Sequence, residues 1–172
     1  MIRLKKELEG SILDIGGGGE GIIGRLYQKQ VTAIDNRQEE LDEAPNCFKK
    51  VLMNAADLKF ESDFFDNVTF FFTLMYMSAE LQVKAINEAV RVMKVGGKLC
   101  IWDCEIESAY PDPFIVNLQI SLPEEQINTT YGVGKYDKQN VTFILSICEK
   151  AGLELVCHEN GKNYFYLEMT LN

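Results

Sequence analysis

The residues whose types and spacing suit chemistry cluster near the start of the chain. Leu13-Asp14-Ile15 runs into Gly16-Gly17-Gly18-Gly19-Glu20-Gly21, and a second acid, Asp35, closes the next apolar run. Glycines let a backbone turn sharply and let a ligand approach it closely, and a helix starting there offers free N–H groups to a polar or anionic ligand. Asp35, at the end of a neighbouring strand, is placed to accept both hydroxyls of a ribose. Strand, glycine loop, helix, strand and acid in that order point to a nucleoside-bearing ligand; a glycine-rich turn with Asp35 as a helix cap is the purely structural alternative. Further along, Tyr76 and Asp103 stand where two later strands end and are candidates to face a substrate, with simple packing for Tyr76 and a capping or solvated contact for Asp103 as the structural alternatives. Phe70, Phe71 and Phe72 sit in mid-strand and are expected to pack in the core. Glu39, Glu40, Asp42 and Glu43 read as a solvated helix face.

Hydrophobic periodicity supplies the elements that must position these groups. Ser11–Ile15 and Val31–Asp35 read as strands, with a helix over Glu20–Gln30 that carries Ile22, Ile23, Leu26 and Tyr27 on one side. A short helix over Arg37–Ala44 stops before Pro45, and Phe48–Met53 is the third strand. Asn67–Thr73 is almost continuously apolar, as a strand covered on both faces should be. Ala79–Lys94 carries a helical stripe of Leu81, Ala85, Ile86, Ala89, Val90 and Met93, which Gly96-Gly97 is expected to cap. Lys98–Asp103 is the next strand. Alternating strands and helices predict an α/β fold, a parallel sheet with helices on both faces. The tail ends differently: after a helix over Val141–Lys150, two strand-like runs flank Asn160-Gly161, a hairpin signal.

Composition narrows the partners. The chain has 172 residues, 47% hydrophobic and 25% charged, which suits one globular domain spanning 1–172. A net charge of −9 argues against nucleic acid and anionic membrane surfaces, because phosphate binding draws on Lys and Arg. A small molecule is the expected partner. No apolar run approaches the ~20 residues that a membrane helix needs. The charged start Met1-Ile-Arg-Leu-Lys-Lys-Glu does not resemble a signal peptide, so a cytoplasmic location is expected. Five cysteines without Cys-x-x-Cys spacing and a single histidine, His158, suggest a reducing compartment and no metal site.

Several weak motifs in order carry a resemblance. Leu13–Gly21, Ile34-Asp35, Asn54-Ala55-Ala56-Asp57-Leu58-Lys59-Phe60, Phe64-Phe65-Asp66 and Glu88–Leu99 are similar to segments of class I S-adenosylmethionine-dependent methyltransferases of the small-molecule type. Val95 stands where that family usually has proline before Gly96-Gly97. Glu20 stands at the third glycine of the family's loop, although Gly17, Gly19 and Gly21 fit the same spacing one residue later. The resemblance implies a Rossmann-like, seven-stranded, mostly parallel sheet ending in an antiparallel hairpin. It also implies S-adenosylmethionine as cofactor. Asp14, Gly16 and Gly18 would line its methionine part, and Asp35 would hold its ribose. Asn54 would accept from the adenine amino group, Ala55 would donate a backbone N–H, and Thr73 and Leu74 would lie beside the sulfonium.

Two other readings stay open. Gly16-x-Gly18-x-x-Gly21 with Asp35 also satisfies the dinucleotide fingerprint, which would make the chain an NAD-dependent oxidoreductase. A protein that binds S-adenosylmethionine without catalysis is a third reading that no sequence feature excludes, since the sulfonium is already activated and methyl transfer often needs no named acid or base. No catalytic residue is assigned, and neither the acceptor nor the oligomeric state follows from the sequence. The stretch Cys104–Asn140 interrupts the rhythm. Its apolar run Phe114–Leu122 reads as a strand, and Gly132 and Gly134 are expected to bracket a hinge. The segment is expected to be an insert or lid over the acceptor site, with a hairpin packed for stability as the alternative.

Overall fold

The computed structural model describes residues 1–172. Its main sheet has seven strands: β2 (Ile12–Ile15), β3 (Val31–Asp35), β4 (Lys49–Leu52), β5 (Phe65–Phe71), β6 (Met93–Asp103), β9 (Leu153–Asn160) and β10 (Phe165–Leu171), in the order β4-β3-β2-β5-β6-β10-β9. The strands β4 to β6 run parallel, and β10 is inserted antiparallel between β6 and β9. The α/β sheet with a terminal antiparallel hairpin is therefore as expected.

Strand order reverses at β2. The chain first moves outward to β3 and β4, then returns to lay β5 on the other side of β2, pairing Ile15 with both Ile34 and Phe70. Loops leaving β2 and β5 thus part in opposite directions, opening a crevice beyond the carboxyl ends of the strands. Gly16 and Thr73 stand on its two sides.

Alternation along the strands divides the core into two layers. Leu13, Ile15, Val68, Phe70, Leu99 and Ile101 point to α3 (Ala79–Val92) and α4 (Val141–Lys150), meeting Ala85, Ile86, Ala89, Ile144 and Ile147. Ile12, Ala33, Phe71 and Cys100 point to α1 (Ile22–Tyr27), where Ile22, Ile23 and Leu26 cover part of the face. The remainder is covered by a second sheet of β1 (Ile2–Arg3), β7 (Phe114–Ser121) and β8 (Gln126–Val133), whose Val116, Leu118 and Ile120 are buried.

Two local expectations, on Gly96 and Gly132, are corrected. The α3 helix ends at Val92, and Gly96 (φ 80°) lies in a bulge within β6 instead of capping the helix. The strand expected at Phe114–Leu122 is β7, and it pairs antiparallel with β8 over eight residues, so the segment Cys104–Asn140 contains a hairpin. Gly132 is part of that ladder, opposite Ile115, and is not a hinge. The β8 strand escaped notice because Gln126–Val133 is polar and half-solvated; its only alternation is between exposed and partly buried positions. The α2 helix (Gln38–Glu43) starts and stops as expected, its Leu41 buried.

Ile120 is 1% exposed and pairs with Ile2, so it joins the small sheet to the main core. Ile120→Ala is expected to lower stability by about 2–4 kcal/mol through the cavity it leaves. Urea denaturation followed by circular dichroism measures the loss.

Candidate active site

The crevice is a cavity of about 870 Å³ between the glycine loop, the end of β5 and the β7–β8 hairpin. Asp14, Gly16, Gly18, Asp35, Asn54, Ala55 and Thr73 all line it, so seven of the eight expected cofactor residues converge from four separate loops. Tyr76 lines it as well. Leu74 does not. It is fully buried among the aliphatic side chains under α3, because the short 3-10 turn Leu74–Tyr76 rotates it away from the crevice.

Close backbone approach explains the glycines. Gly16 has φ 75°, and a Cβ there would overlap Thr73 across the crevice. A Cβ on Gly18 would fall 2.9 Å from Asp35 Oδ2 and 2.5 Å from the Glu40 Cβ. The loop's polarity differs from expectation: Gly16 and Gly17 N–H both donate to Ile34 O (2.8 and 3.0 Å), and Gly19 N–H donates to Glu40 O (2.8 Å). Much of the loop's donor capacity is thus spent on the fold, and α1 is only six residues long. The loop's glycines let its backbone lie close against the side chains of Asp14, Asp35 and Glu40.

Those carboxylates dominate the crevice. Asp14, Glu20, Asp35, Glu40 and Glu43 line it, against a single basic side chain, Arg37, which pairs with Glu40 at 2.9 Å. Glu40 is therefore not simply on a solvated face, since the glycine loop packs directly against it. Asp14 is 1% exposed; Thr69 Oγ1 donates to its Oδ1 at 2.7 Å. Burial pushes its carboxyl up to about 7, with Asp35 adding a smaller repulsion. The Asp35 Oδ1 accepts from Arg37 N–H (3.0 Å), and Asn54 Oδ1 accepts from Ala56 N–H (2.9 Å), turns that fix both side chains at the rim.

The opposite wall is apolar and aromatic. Phe71, Phe72, Met77, Leu81, Tyr76 and Tyr131 line it. Phe71 and Phe72 are buried, as core packing demands, yet each also presents a side to the crevice. Phe72 adopts φ 51°, a costly left-handed conformation for a bulky residue, which turns the chain out of β5 toward Thr73. Nothing in the sequence signals that. Glu20 and Tyr131 also line the crevice without a signal in the sequence: Glu20 breaks the glycine pattern, and Tyr131 lies in the polar strand β8.

Asp103 is corrected from a substrate-facing residue to a structural one. It is 0% exposed and accepts from Cys104 N–H (2.8 Å), Met75 N–H (3.2 Å) and Gln139 Nε2 (2.8 Å). Burial raises its carboxyl to about 6. Lys135 Nζ donates to Met77 O (2.7 Å) and Gln139 Oε1 (3.1 Å), and Gln82 Nε2 donates to Leu74 O (2.8 Å). These four side chains clamp the turn that carries Tyr76. Trp102 stacks on Tyr166 (centroids 4.7 Å) away from the crevice.

The comparisons with known proteins agree with this geometry. The profile of the family described as "Methyltransferase domain" matches residues 13–101. A chloroplastic 2-methyl-6-phytyl-1,4-hydroquinone methyltransferase from Arabidopsis thaliana is 28% identical over 125 residues, which is 67% of this chain and 36% of the plant protein. The chain thus spans about a third of that relative's length. A Methanosarcina mazei protein described as an S-adenosylmethionine-dependent methyltransferase superposes with a TM-score of 0.68 at 17% identity, covering 95% of this chain and 94% of its own. The glycopeptide N-methyltransferase MtfA, solved with S-adenosylmethionine, superposes with a TM-score of 0.65 at 11% identity, covering 96% and 89%. Sheet order and crevice define the class I S-adenosylmethionine-dependent methyltransferase fold. The chain belongs to the methyltransferase-domain family, whose cofactor is S-adenosylmethionine.

The buried Asp14 yields a prediction whose sign is fixed. Its folded value, about 7, lies above the ordinary 3.8, so its contribution favours folding below pH 4 and is lost as pH rises through 7. Asp14→Asn keeps an acceptor for Thr69 and removes that loss. In thermal melts without ligand, the variant should match wild type at pH 4 and exceed it at pH 8 by about 1–3 kcal/mol.

Proposed function

We propose that the chain transfers the methyl group of S-adenosylmethionine to an uncharged small-molecule acceptor held against the aromatic wall of the crevice. The observation that carries this reading is the crevice's charge. Asp14, Glu20, Asp35, Glu40 and Glu43 surround a space with one arginine, itself paired. Such a site favours a ligand bearing a sulfonium and an ammonium. It disfavours a dinucleotide, whose pyrophosphate would meet carboxylates at the glycine loop.

In this reading Asp35 accepts from the ribose hydroxyls, and Asn54 and Ala55 meet the adenine. Asp14, Gly16, Gly18 and Thr73 enclose the methionyl part. The bound cofactor supplies an activated methyl group, so this chain's residues need only hold the acceptor in line and exclude water. Phe72, Met77, Leu81 and Tyr131 offer a wall without a cation, which suits an aromatic or otherwise apolar acceptor. The hydroquinone in the plant relative's name is of that kind. Burial lifts the Tyr76 hydroxyl above its ordinary value. It therefore stays protonated near neutrality and orients an acceptor oxygen as a hydrogen-bond donor. The β7–β8 hairpin within residues 104–140 is the cover of the acceptor side.

Calorimetry tests the cofactor. Wild type should bind S-adenosylhomocysteine and not NAD, and Asp35→Ala should weaken that binding by about 1–3 kcal/mol. Tight binding of NAD without either methionine nucleoside would overturn the reading. Because a cation favours ionised Asp14, affinity for S-adenosylmethionine should rise between pH 6 and pH 8, by up to about tenfold per unit below the Asp14 midpoint. Once an acceptor is found, Tyr76→Phe should keep turnover within about tenfold of wild type. A loss near 10³ would mark Tyr76 as an acid–base group.

A further inference from the structure

The glycine loop contains one side chain that does not belong to a simple ligand cradle. Glu20 lies between Gly19 and Gly21, both at φ 58°, so the backbone is turned on either side of it. Its carboxylate leaves the loop and reaches the hairpin, where it accepts from the Thr129 hydroxyl and from the Tyr131 hydroxyl at 3.1 Å. Both hydroxyls belong to β8, more than a hundred residues away in the chain. Tyr131 in turn packs on Phe72, with ring centroids 5.5 Å apart, and its neighbours Thr130 and Gly132 complete the crevice rim beside Tyr76.

We propose that Glu20 is a positioning residue: its carboxylate clamps the β7–β8 hairpin onto the glycine loop, so that cofactor occupancy at the loop sets the position of the acceptor wall at Tyr131. The inference rests on the proposed methyl transfer for its purpose, but the clamp itself is a feature of the ligand-free chain. The chemistry favours a carboxylate at this position. Two hydroxyl donors converge on it, and hydrogen bonds to an ionised acceptor are the stronger kind. A glycine there would leave both hydroxyls without that partner, and a glutamine would offer one carbonyl oxygen in place of two. A second tie runs from the same turn of the chain. Arg25 Nε donates to Glu20 O (2.6 Å), while its guanidinium reaches Glu125 at the hairpin tip (3.2 Å). That outer pair is exposed and screened, so the inner carboxylate is the tie that orders the wall.

The consequence is a coupling between the two halves of the crevice. A ligand that orders the glycine loop also orders Glu20, and with it β8, Tyr131 and the acceptor side. Cutting the clamp from the hairpin side, at Thr129 and Tyr131, should leave the loop's response to cofactor in place and abolish the hairpin's response.

Hydrogen exchange with mass spectrometry on the full chain tests this, using wild type, Glu20→Gln and the double variant Thr129→Val/Tyr131→Phe, with and without S-adenosylhomocysteine. Without ligand, exchange over residues 122–133 should be at least about fivefold faster in both variants than in wild type, as expected for a locally loosened unit. With saturating S-adenosylhomocysteine, wild type should gain protection in both the glycine loop and the hairpin, whereas Thr129→Val/Tyr131→Phe, which leaves the crevice carboxylates in place, should gain it in the loop alone. Equal hairpin exchange in wild type and both variants overturns the clamp. Equal ligand-induced protection of the hairpin in wild type and the double variant overturns the coupling. If wild type shows no response to S-adenosylhomocysteine anywhere, the cofactor reading fails, and the ligand-free comparison still decides the clamp.

Discussion

The pairing of β5 with β2, on the side opposite β3, is the constraint from which the crevice follows. Had β5 continued outward past β4, the loops after successive strands would all lean the same way and close over one another. Pairing Ile15 with Ile34 on one side and Phe70 on the other instead sends the glycine loop and Thr73 apart. The two loops still touch, because Gly16 and Thr73 would overlap if either gained bulk.

Two buried carboxylates show how position decides the role of a residue type. Asp14 and Asp103 both sit at or near the end of a central strand, both are nearly inaccessible, and burial raises both. Asp103 is saturated by two backbone N–H groups and an amide, which makes it part of the framework under the Tyr76 turn. Asp14 has a single side-chain donor and borders the cavity, so it retains acceptor capacity for a cation. An ionised acid left partly unsatisfied in a low-dielectric setting is costly. A cationic ligand offsets that cost.

The small sheet changes how the site is enclosed. One face of the main sheet is shared between a six-residue helix and β1, β7 and β8, so a hairpin rather than a helix stands over the crevice. A hairpin suits the position. Its inward residues Val116, Leu118 and Ile120 anchor it in the core, while β8 presents Thr129 and Tyr131 to the loop. The anchored strand and the contact strand are hydrogen-bonded neighbours, which lets a tie at Glu20 act on a rigid unit.

The sequence by itself determined the features with local causes. Strand and helix periods, the glycine loop, the acid at the end of β3 and the Asn160-Gly161 hairpin are all short-range signals, and the elements they predict are present. Asp35 was legible from the pattern as the acid that ends β3, whereas Asp14, Gly16, Gly18, Asn54, Ala55 and Thr73 were implied by the resemblance to methyltransferases; all seven line the crevice. Tertiary structure decided what depends on direction and on distant partners. Leu74 follows the crevice residue Thr73 and Asp103 ends β6, yet the 3-10 turn rotates the one away and the Gln139–Lys135 cluster encloses the other. Glu20 and Tyr131 acquire their roles only by meeting each other. No spacing in the chain encodes that meeting, because it depends on where β7 docks, and docking is set by packing area summed over the whole face rather than by any local preference.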